Sequence, residues 1–449
     1  MFKKKLHTLF IEKLVPGGFG LGRLDEGIVV LVRYVLPGEK VLVREIGRKK
    51  DYVSAELIQV LTPSADRIKP PCPIYGRCGG CDLQHAGPDA QIRLKKALLA
   101  DSLQRAAGDI FSDPLLSVED PLPAPQQFYY RQRIRIQVDK KGNYGFFRPG
   151  SHILEPVSHC LLARKGLNKV LHQMHASHPF GELAKHCTSF ELLFNPQENN
   201  TVLLLHFLRK PRPADCLFSR CLAHGTIGLS AILMQVEGYG IYDPLKQTFL
   251  ASAPIMSHNP AIKAIKPRFS LSWEAGSFCQ VNLEQNNNMV KVVLEMIVSG
   301  PHNRILDLYC GYGNFSLPVA KLGSEVLGID AQNAAIRSAH RNAIRNNIHN
   351  CRFEKKQVSA AVKSLFDAGE TFETIILDPP RQGAPEIVSL LPELSADQII
   401  YVSCNPATLT RDLGALIPAG YHLCRLVPID MFPQTHHLES VTLLKRSNL

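Results

Sequence analysis

The chain has 449 residues, 45% hydrophobic and 20% charged, with a formal net charge of +11. That length exceeds what one hydrophobic core usually serves, so two or three globular domains are expected. No apolar run reaches the ~18 residues a membrane helix needs, and the residues after the basic N-terminal stretch are too polar for a secretory signal. A cytoplasmic, monomeric protein with no membrane partner is therefore expected. The positive surplus suits a polyanion, because Lys and Arg neutralise phosphates, although charge alone does not separate RNA or DNA binders from other basic proteins.

Residues 1–65 read as short strands, at 6–14, 27–33 and 40–46, punctuated by Pro16-Gly17-Gly18 and Pro37-Gly38. Short β-segments between Gly/Pro turns predict a small barrel. Residues 1–70 hold 13 Lys/Arg against 8 Asp/Glu, and the run Arg48-Lys49-Lys50 reads as a solvated hairpin tip. A Pro/Cys/Gly-rich connector spans 68–90, a helix is expected over 89–107, and 114–125 is an extended linker. Residues 128–260 mix strands and helices, with strands at 130–138, 191–194 and 201–208. From about residue 268, strands at 304–308, 325–330, 374–377 and 398–402 alternate with helices, one of them at 334–346. That alternation predicts an α/β fold built on a parallel, doubly wound sheet.

Asp307-Leu-Tyr-Cys-Gly-Tyr-Gly-Asn-Phe315 lies where a first strand meets a first helix. Gly311 and Gly313 let the backbone approach a ligand closely, and Asp330 ends the next strand, where a carboxylate can accept from two ribose hydroxyls. A dinucleotide site would place a third glycine at Ser316. Its absence favours a nucleoside without pyrophosphate, such as S-adenosylmethionine, over a nicotinamide cofactor or a purely structural turn.

Tyr401-Val-Ser-Cys-Asn-Pro406 follows a predicted strand of the same sheet. A lone cysteine is usually packing, but Asn405-Pro406 turns sharply enough to present the Cys404 thiol. A helix starting near Thr408 is expected to lower its pKa. Asp378-Pro-Pro-Arg381 ends another strand, so its acid should face the same crevice, whereas Glu439 taken alone passes for a surface carboxylate. Cys72-Pro-Ile-Tyr-Gly-Arg-Cys78-Gly-Gly-Cys81 sets three thiols on a Gly-rich loop, with Cys160 the best candidate for a fourth ligand. On spacing, zinc, an iron–sulfur cluster and no metal all stay open, although the second Cys pair usual for zinc is missing.

Phe278-Cys-Gln-Val-Asn282, Asp307–Phe315, Asp378-Pro-Pro-Arg381, Ser403-Cys-Asn-Pro406 and Phe432-Pro-Gln-Thr-His-His-Leu-Glu439 together resemble the RNA uridine-C5 methyltransferase family, in its order and almost end to end. The resemblance implies a Rossmann-like S-adenosylmethionine methyltransferase domain over residues 266–449, with Cys404 as nucleophile and Glu439 as general base. It also implies cofactor contacts from Gln280, Tyr309, Asn314, Asp330 and Asp378. Gln357 aligns with a position where relatives carry Asn.

Residues 1–66 are similar to the TRAM domain, an OB-like RNA-binding barrel. Residues 67–265 are similar to a central α+β RNA-binding domain with a [4Fe-4S] cluster on Cys72, Cys78, Cys81 and Cys160. Within the family, this combination resembles members that methylate 23S rRNA more than the shorter tRNA uridine-54 enzymes. A non-catalytic RNA-binding or ribosome-assembly factor is the remaining alternative, but binding alone needs neither Cys404 nor Glu439. Tyr130-Arg131-Gln-Arg-Ile-Arg-Ile136 and Gly145-Phe-Phe-Arg148 would add basic and aromatic contacts to RNA.

Overall fold

A computed structural model describes residues 5–107, 118–262, 269–300 and 303–447. Residues 114–117 of the expected linker and the expected boundary between 265 and 266 lie outside them.

Strands β1 (Leu6–Val15), β2 (Phe19–Arg23), β3 (Val29–Arg33), β4 (Lys40–Arg48) and β5 (Tyr52–Thr62) close into a barrel in the order β1-β2-β3-β5-β4. Alternate residues point inward, so Leu9, Ile11, Val30, Val32, Val41, Val43 and Val53 form one core. The sequence reading lacks β2 and β5. In β2 the inward positions are Gly20 and Gly22, where a Cβ would lie 2.3 Å from Val35 Cγ2 and 2.4 Å from the Phe10 carbonyl oxygen. Close packing there demands glycine, which erases the hydrophobic alternation by which a strand is recognised. Residues 48–50 are exposed between β4 and β5, as a solvated tip should be.

Helix α1 (Pro88–Ala107) follows the cysteine-bearing connector. A second sheet is then built from β6 (Arg133–Val138), β7 (Tyr144–Phe147), β8 (Leu154–Pro156), β9 (Cys187–Asn195), β10 (Asn200–Phe207), β11 (Leu229–Val236), β12 (Gly240–Asp243) and β13 (Thr248–Phe249). Its order is β13-β12-β11-β10-β9-β6-β7-β8. Strands β9 and β10 are buried along almost their whole length because both faces are covered. Leu203, Leu205 and Ile232 pack under α2 (Lys165–His175), α3 (His178–Ala184) and α4 (Pro213–Gly225). Leu193, Val202, Leu204 and Leu233 face Met256 and Trp273 of the hairpin β14 (Ile255–His258) and β15 (Leu271–Glu274), and through it the C-terminal core.

The C-terminal unit opens with α5 (Leu283–Val298) and continues through β16 (Arg304–Leu308), α6 (Ser316–Ala320), β17 (Glu325–Asp330), α7 (Asn333–Arg345), β18 (Cys351–Lys355) and α8 (Val358–Asp367). It ends with β19 (Thr374–Leu377), β20 (Gln398–Ser403), α9 (Pro406–Leu416), β21 (Tyr421–Ile429) and β22 (Glu439–Arg446). The sheet order is β18-β17-β16-β19-β20-β22-β21, with the first five strands parallel and β22 antiparallel to both its neighbours. The strand order reverses between β16 and β19, and ligands bind at such switch points, beyond the carboxyl ends of the strands.

Although α1 precedes the second sheet in sequence, it packs on the third. Leu99 and Leu103 join the core of Leu306, Leu409 and Leu413. Lys95 on α1 is wholly buried and ion-paired to the buried Asp430, and its Nζ also donates to the Phe432 carbonyl at 3.0 Å. Removing one member of a buried pair strands the other charge, a loss of about 3–5 kcal/mol, whereas replacing both with apolar groups is often neutral. Lys95→Met should therefore lower the denaturant midpoint markedly, and Lys95→Met with Asp430→Leu should recover most of it. Equal midpoints for the single and double variants in urea titrations would contradict this.

Candidate active site

The carboxyl ends of β16, β17, β19 and β20 form one edge, and Tyr309, Asp330, Asp378 and Cys404 stand at or just past those ends. The loop after β16 closes on β17. The Cys310 amide donates to the Ile329 carbonyl at 3.1 Å, and the Gly311 amide donates to the Asp330 carboxylate at 3.0 Å. The other Asp330 oxygen accepts from the Gln332 amide at 2.8 Å. Tyr309 has φ +64°, a left-handed conformation that a bulky residue adopts only when its surroundings impose it. Gly313, at φ +86°, could not carry a Cβ without meeting Leu317 at 2.7 Å.

Ser316, where a third glycine would be expected for a dinucleotide, donates through its hydroxyl to the buried Asp307 carboxylate. The second Asp307 oxygen is buried without a partner among the described residues. Burial, partly offset by the Ser316 bonds, pushes the Asp307 acid up to about 7. Asp378 is likewise pushed to about 7, by burial first and then by the charges of Asp307 and Asp330.

Two of the expected cofactor residues are placed differently from these. Asn314 is buried and makes a reciprocal amide pair with Asn286 of α5, at 2.8 and 3.0 Å, while its carbonyl also accepts from Tyr312 Oη at 3.3 Å. Its side chain ties α5 to the loop. Gln357 lies two residues beyond β18 and is exposed. Gln280 is buried near the start of α5, its backbone carbonyl accepting from Gln132 at 2.7 Å, and the neighbouring Phe278 is exposed.

The register of β20 with β22 runs to Ser403 opposite Ser440, so Cys404 just follows and Glu439 just precedes the last paired residues, near enough for the Glu439 carboxyl to act on the thiol. Burial pushes the Cys404 thiol up to about 12, the carboxyls of Glu439 and Asp378 add to this, and Arg381 opposes it. Glu439 is held well above the usual carboxylate range by burial and then by Asp378, again against Arg381. The expectation that a helix start would lower the thiol pKa is corrected here. α9 does begin just after Cys404, with Asn405 as its cap and Pro406 in its first turn, but burial and two nearby acids outweigh it.

Arg381 is the residue that pattern reading quoted without giving a role. Its backbone carbonyl accepts from Asn405 Nδ2 at 3.2 Å and from Thr408 Oγ1 at 3.3 Å, fastening the Asp378–Arg381 turn to the turn bearing the thiol. Asp412 finishes that attachment, accepting from the Ala384 amide at 2.8 Å and from Tyr401 Oη at 2.6 Å. Buried carboxylate clamps of this kind leave no spacing signal in a sequence.

Cys72, Cys78, Cys81 and Cys160 all line one cavity of about 260 Å³, together with Tyr75, Gln84 and Arg131. Burial raises three of these thiols, Cys78 to about 11 and Cys81 to about 12, with Cys160 also shifted upward. Among the described residues, no three His, Cys, Asp or Glu side chains stand close enough to hold a single metal ion. None of the described helices is long and apolar enough to cross a membrane.

The description "tRNA (Uracil-5-)-methyltransferase" belongs to the family whose pattern matches residues 264–447. The 23S rRNA (uracil(1939)-C(5))-methyltransferase RlmD of Pseudomonas entomophila is 34% identical, the alignment covering 98% of this chain and 94% of that protein. An uncharacterized RNA methyltransferase of Aquifex aeolicus is 33% identical over 99% of both. The Pyrococcus abyssi tRNA (uracil-54, C5)-methyltransferase, solved with S-adenosyl-L-homocysteine, superposes with a TM-score of 0.72 at 24% identity, covering 97% of this chain and 99% of that one, and so shares the fold. With identity of this order along nearly its whole length, and the motifs gathered on one sheet edge, the chain belongs to the RNA (uracil-5-)-methyltransferase family.

Proposed function

We propose that the protein transfers a methyl group from S-adenosylmethionine to C5 of a uridine in 23S rRNA, with Cys404 as nucleophile and Glu439 as base. The observation that carries this reading is that the thiol and the buried carboxyl flank the last paired residues of β20 and β22, Ser403 and Ser440, and that the carboxyl acts electrostatically on the thiol. The 23S rRNA target follows the relatives named for it, which align along nearly the whole chain, and is preferred to the tRNA target that the family description and the fold neighbour suggest.

The residues present fit the nucleoside cofactor. Asp330 ends β17 where ribose hydroxyls would lie, and the unpartnered oxygen of Asp307 and the half-buried Asp378 supply acceptors. Tyr309 and the buried Gln280 border the same crevice in this reading. Asn314 acts by holding α5 to the loop, and Gln357 is the weakest member of the set. S-adenosylmethionine brings a methyl group on a cationic sulfur, an electrophile that C5 of uracil alone does not attack.

The chain's own groups must make C5 nucleophilic. Cys404 gives up its proton to solvent, its Sγ bonds to C6, and the C5–C6 π electrons move into the ring's enolate. C5 then takes the methyl group, and the methyl–sulfur bond breaks. C5 now carries both methyl and hydrogen. Glu439 removes that proton, the C5–C6 double bond returns, and the Sγ–C6 bond breaks with thiolate as leaving group. A carboxyl with a raised pKa suits this proton abstraction, and an unstacked loop uridine is the substrate that reaches it most cheaply.

The four cavity cysteines fit a [4Fe-4S] cluster. Four cysteines are the ligand number such a cluster takes, and these four line one space of about 260 Å³. A bound metal centre ionises thiols that burial otherwise keeps protonated, and the Arg131 guanidinium favours the ionised form of Cys81 and Cys160. The proposed division is an RNA-binding barrel over 1–66, a cluster-bearing unit over 67–265 and a catalytic unit over 266–449, acting in the cytoplasm.

Three outcomes are expected. Cys404→Ala gives no product and no adduct, while Glu439→Gln loses about 10²–10⁴-fold in turnover and accumulates methylated RNA bound to protein on denaturing gels; product from Cys404→Ala at the wild-type rate would overturn the assignment. Both reacting acids have raised pKa values and work ionised, so the single-turnover rate should climb by up to roughly tenfold per pH unit through neutrality, and a flat profile would contradict it. Anaerobically purified protein should hold about four irons per chain, with iron content falling sharply in Cys160→Ala; one zinc and no iron would overturn the cluster.

A further inference from the structure

We infer that Asp82, the residue after the last clustered cysteine, is a positioning residue for Glu439, acting through His436. This rests on the roles proposed above for Cys404 and Glu439.

Glu439 is the first residue of β22, and the nine residues between it and Ile429 belong to no helix or strand. Their shape is imposed from elsewhere in the chain. Gln434 sits at φ +71°, a conformation that a non-glycine residue keeps only under constraint. Its carbonyl accepts from the Asp82 and Leu83 amides at 3.2 and 3.0 Å. Its amide donates to Gln91 Oε1 at 2.8 Å, and its side-chain oxygen accepts from Gln91 Nε2 at 3.0 Å. Tyr130 Oη donates to the Pro433 carbonyl at 3.1 Å.

The contact nearest the base is made by the Asp82 carboxylate. One of its oxygens accepts from the His436 amide at 2.7 Å and the other hydrogen-bonds His436 Nδ1. His436 is three residues before Glu439, and its ring centroid lies 4.2 Å from that of His437, the rings tilted by 38°. The barrel closes over this pair at Gly18, where a Cβ would lie 2.7 Å from Asp82 Oδ2 and 3.1 Å from His436 Nδ1. The turn that bears Cys78 and Cys81 thus grips the segment that delivers the base, with all three units of the chain meeting at one bidentate contact. On this reading, the cysteine loop serves the elimination step without exchanging electrons with it.

The test compares Asp82→Ala, Asp82→Asn, His436→Ala and Glu439→Gln as purified full-length proteins with labelled 23S rRNA fragment and S-adenosylmethionine. Iron content, RNA affinity and the fraction of RNA held as methylated covalent adduct are read for each. Misplacing a reacting group by about 1 Å can cost about 10²-fold, so Asp82→Ala and His436→Ala should keep RNA affinity and the first methyl transfer but release product 10- to 100-fold more slowly, with adduct accumulating. Asp82→Asn, which can still accept from the His436 amide, should restore most of the release rate. If Asp82→Ala loses its iron, His436→Ala removes the same contact from the catalytic side and decides the matter. Adduct in Glu439→Gln but wild-type release in His436→Ala would overturn the positioning role alone. No adduct in Glu439→Gln would remove the base assignment, and the inference with it.

Discussion

Strand β22 is hydrogen-bonded to β20 with opposite polarity, and that pairing decides where Glu439 stands. Parallel strands all end at the same edge of the sheet. An antiparallel strand begins there, so the first residue of β22 arrives next to the end of β20, on the edge where β16 and β19 also end. Within one strand, side chains of adjacent residues point to opposite faces, so a thiol and a carboxyl cannot be brought together by proximity in sequence. The pairing of Ser403 with Ser440 on neighbouring strands anchors the residues that immediately flank the thiol and the carboxyl. The register matters as much as the pairing, because a one-residue slip would send Glu439 to the other side of the sheet.

Burial supplies the chemistry that this geometry positions. Asp307, Asp378, Glu439 and Cys404 are all driven toward their neutral forms, in each case by loss of water before any charge effect. Arg381 is the nearby cation that opposes the shift at both Cys404 and Glu439. Acids crowded on one edge would repel one another if ionised together, and desolvation lessens that repulsion by favouring their neutral forms. A site of this kind limits its own acidity by burial, and the thiolate and carboxylate that react form by loss of protons to solvent before they act.

The parts of the site legible in the sequence are those whose position follows from the strand that carries them. Asp330, Asp378 and Cys404 each end a recognisable apolar strand, so their arrival at one edge could be read from alternation alone. Glu439 could not, because its place depends on an antiparallel strand joining the far side of a parallel sheet after a nine-residue excursion. Asn314 sits in the right loop, but its amide is already engaged by Asn286, a partner that spacing does not reveal. A helix does begin just after Cys404, yet local pattern carries no measure of burial, and burial sets the direction in which the thiol shifts. In the barrel, β2 was hidden because glycines occupy the positions where a strand normally shows its apolar face.

The sequence-distant clamps on residues 430–438 follow from the same constraint. A connection that must cross from one strand to an antiparallel neighbour while ending on a functional residue cannot rely on helix or ladder bonds to hold its shape. Each of its polar backbone groups still needs a partner once buried. Here those partners are Lys95 and Gln91 on α1, Tyr130 before the second sheet, and Asp82 on the cysteine loop. The left-handed Gln434 costs conformational energy that only several such bonds together can offset. Helix α1 must therefore pack against the third sheet although it precedes the second in sequence, and the cysteine loop must lie against the catalytic edge. The interleaved path of the chain is what lets one strained segment be held from three directions.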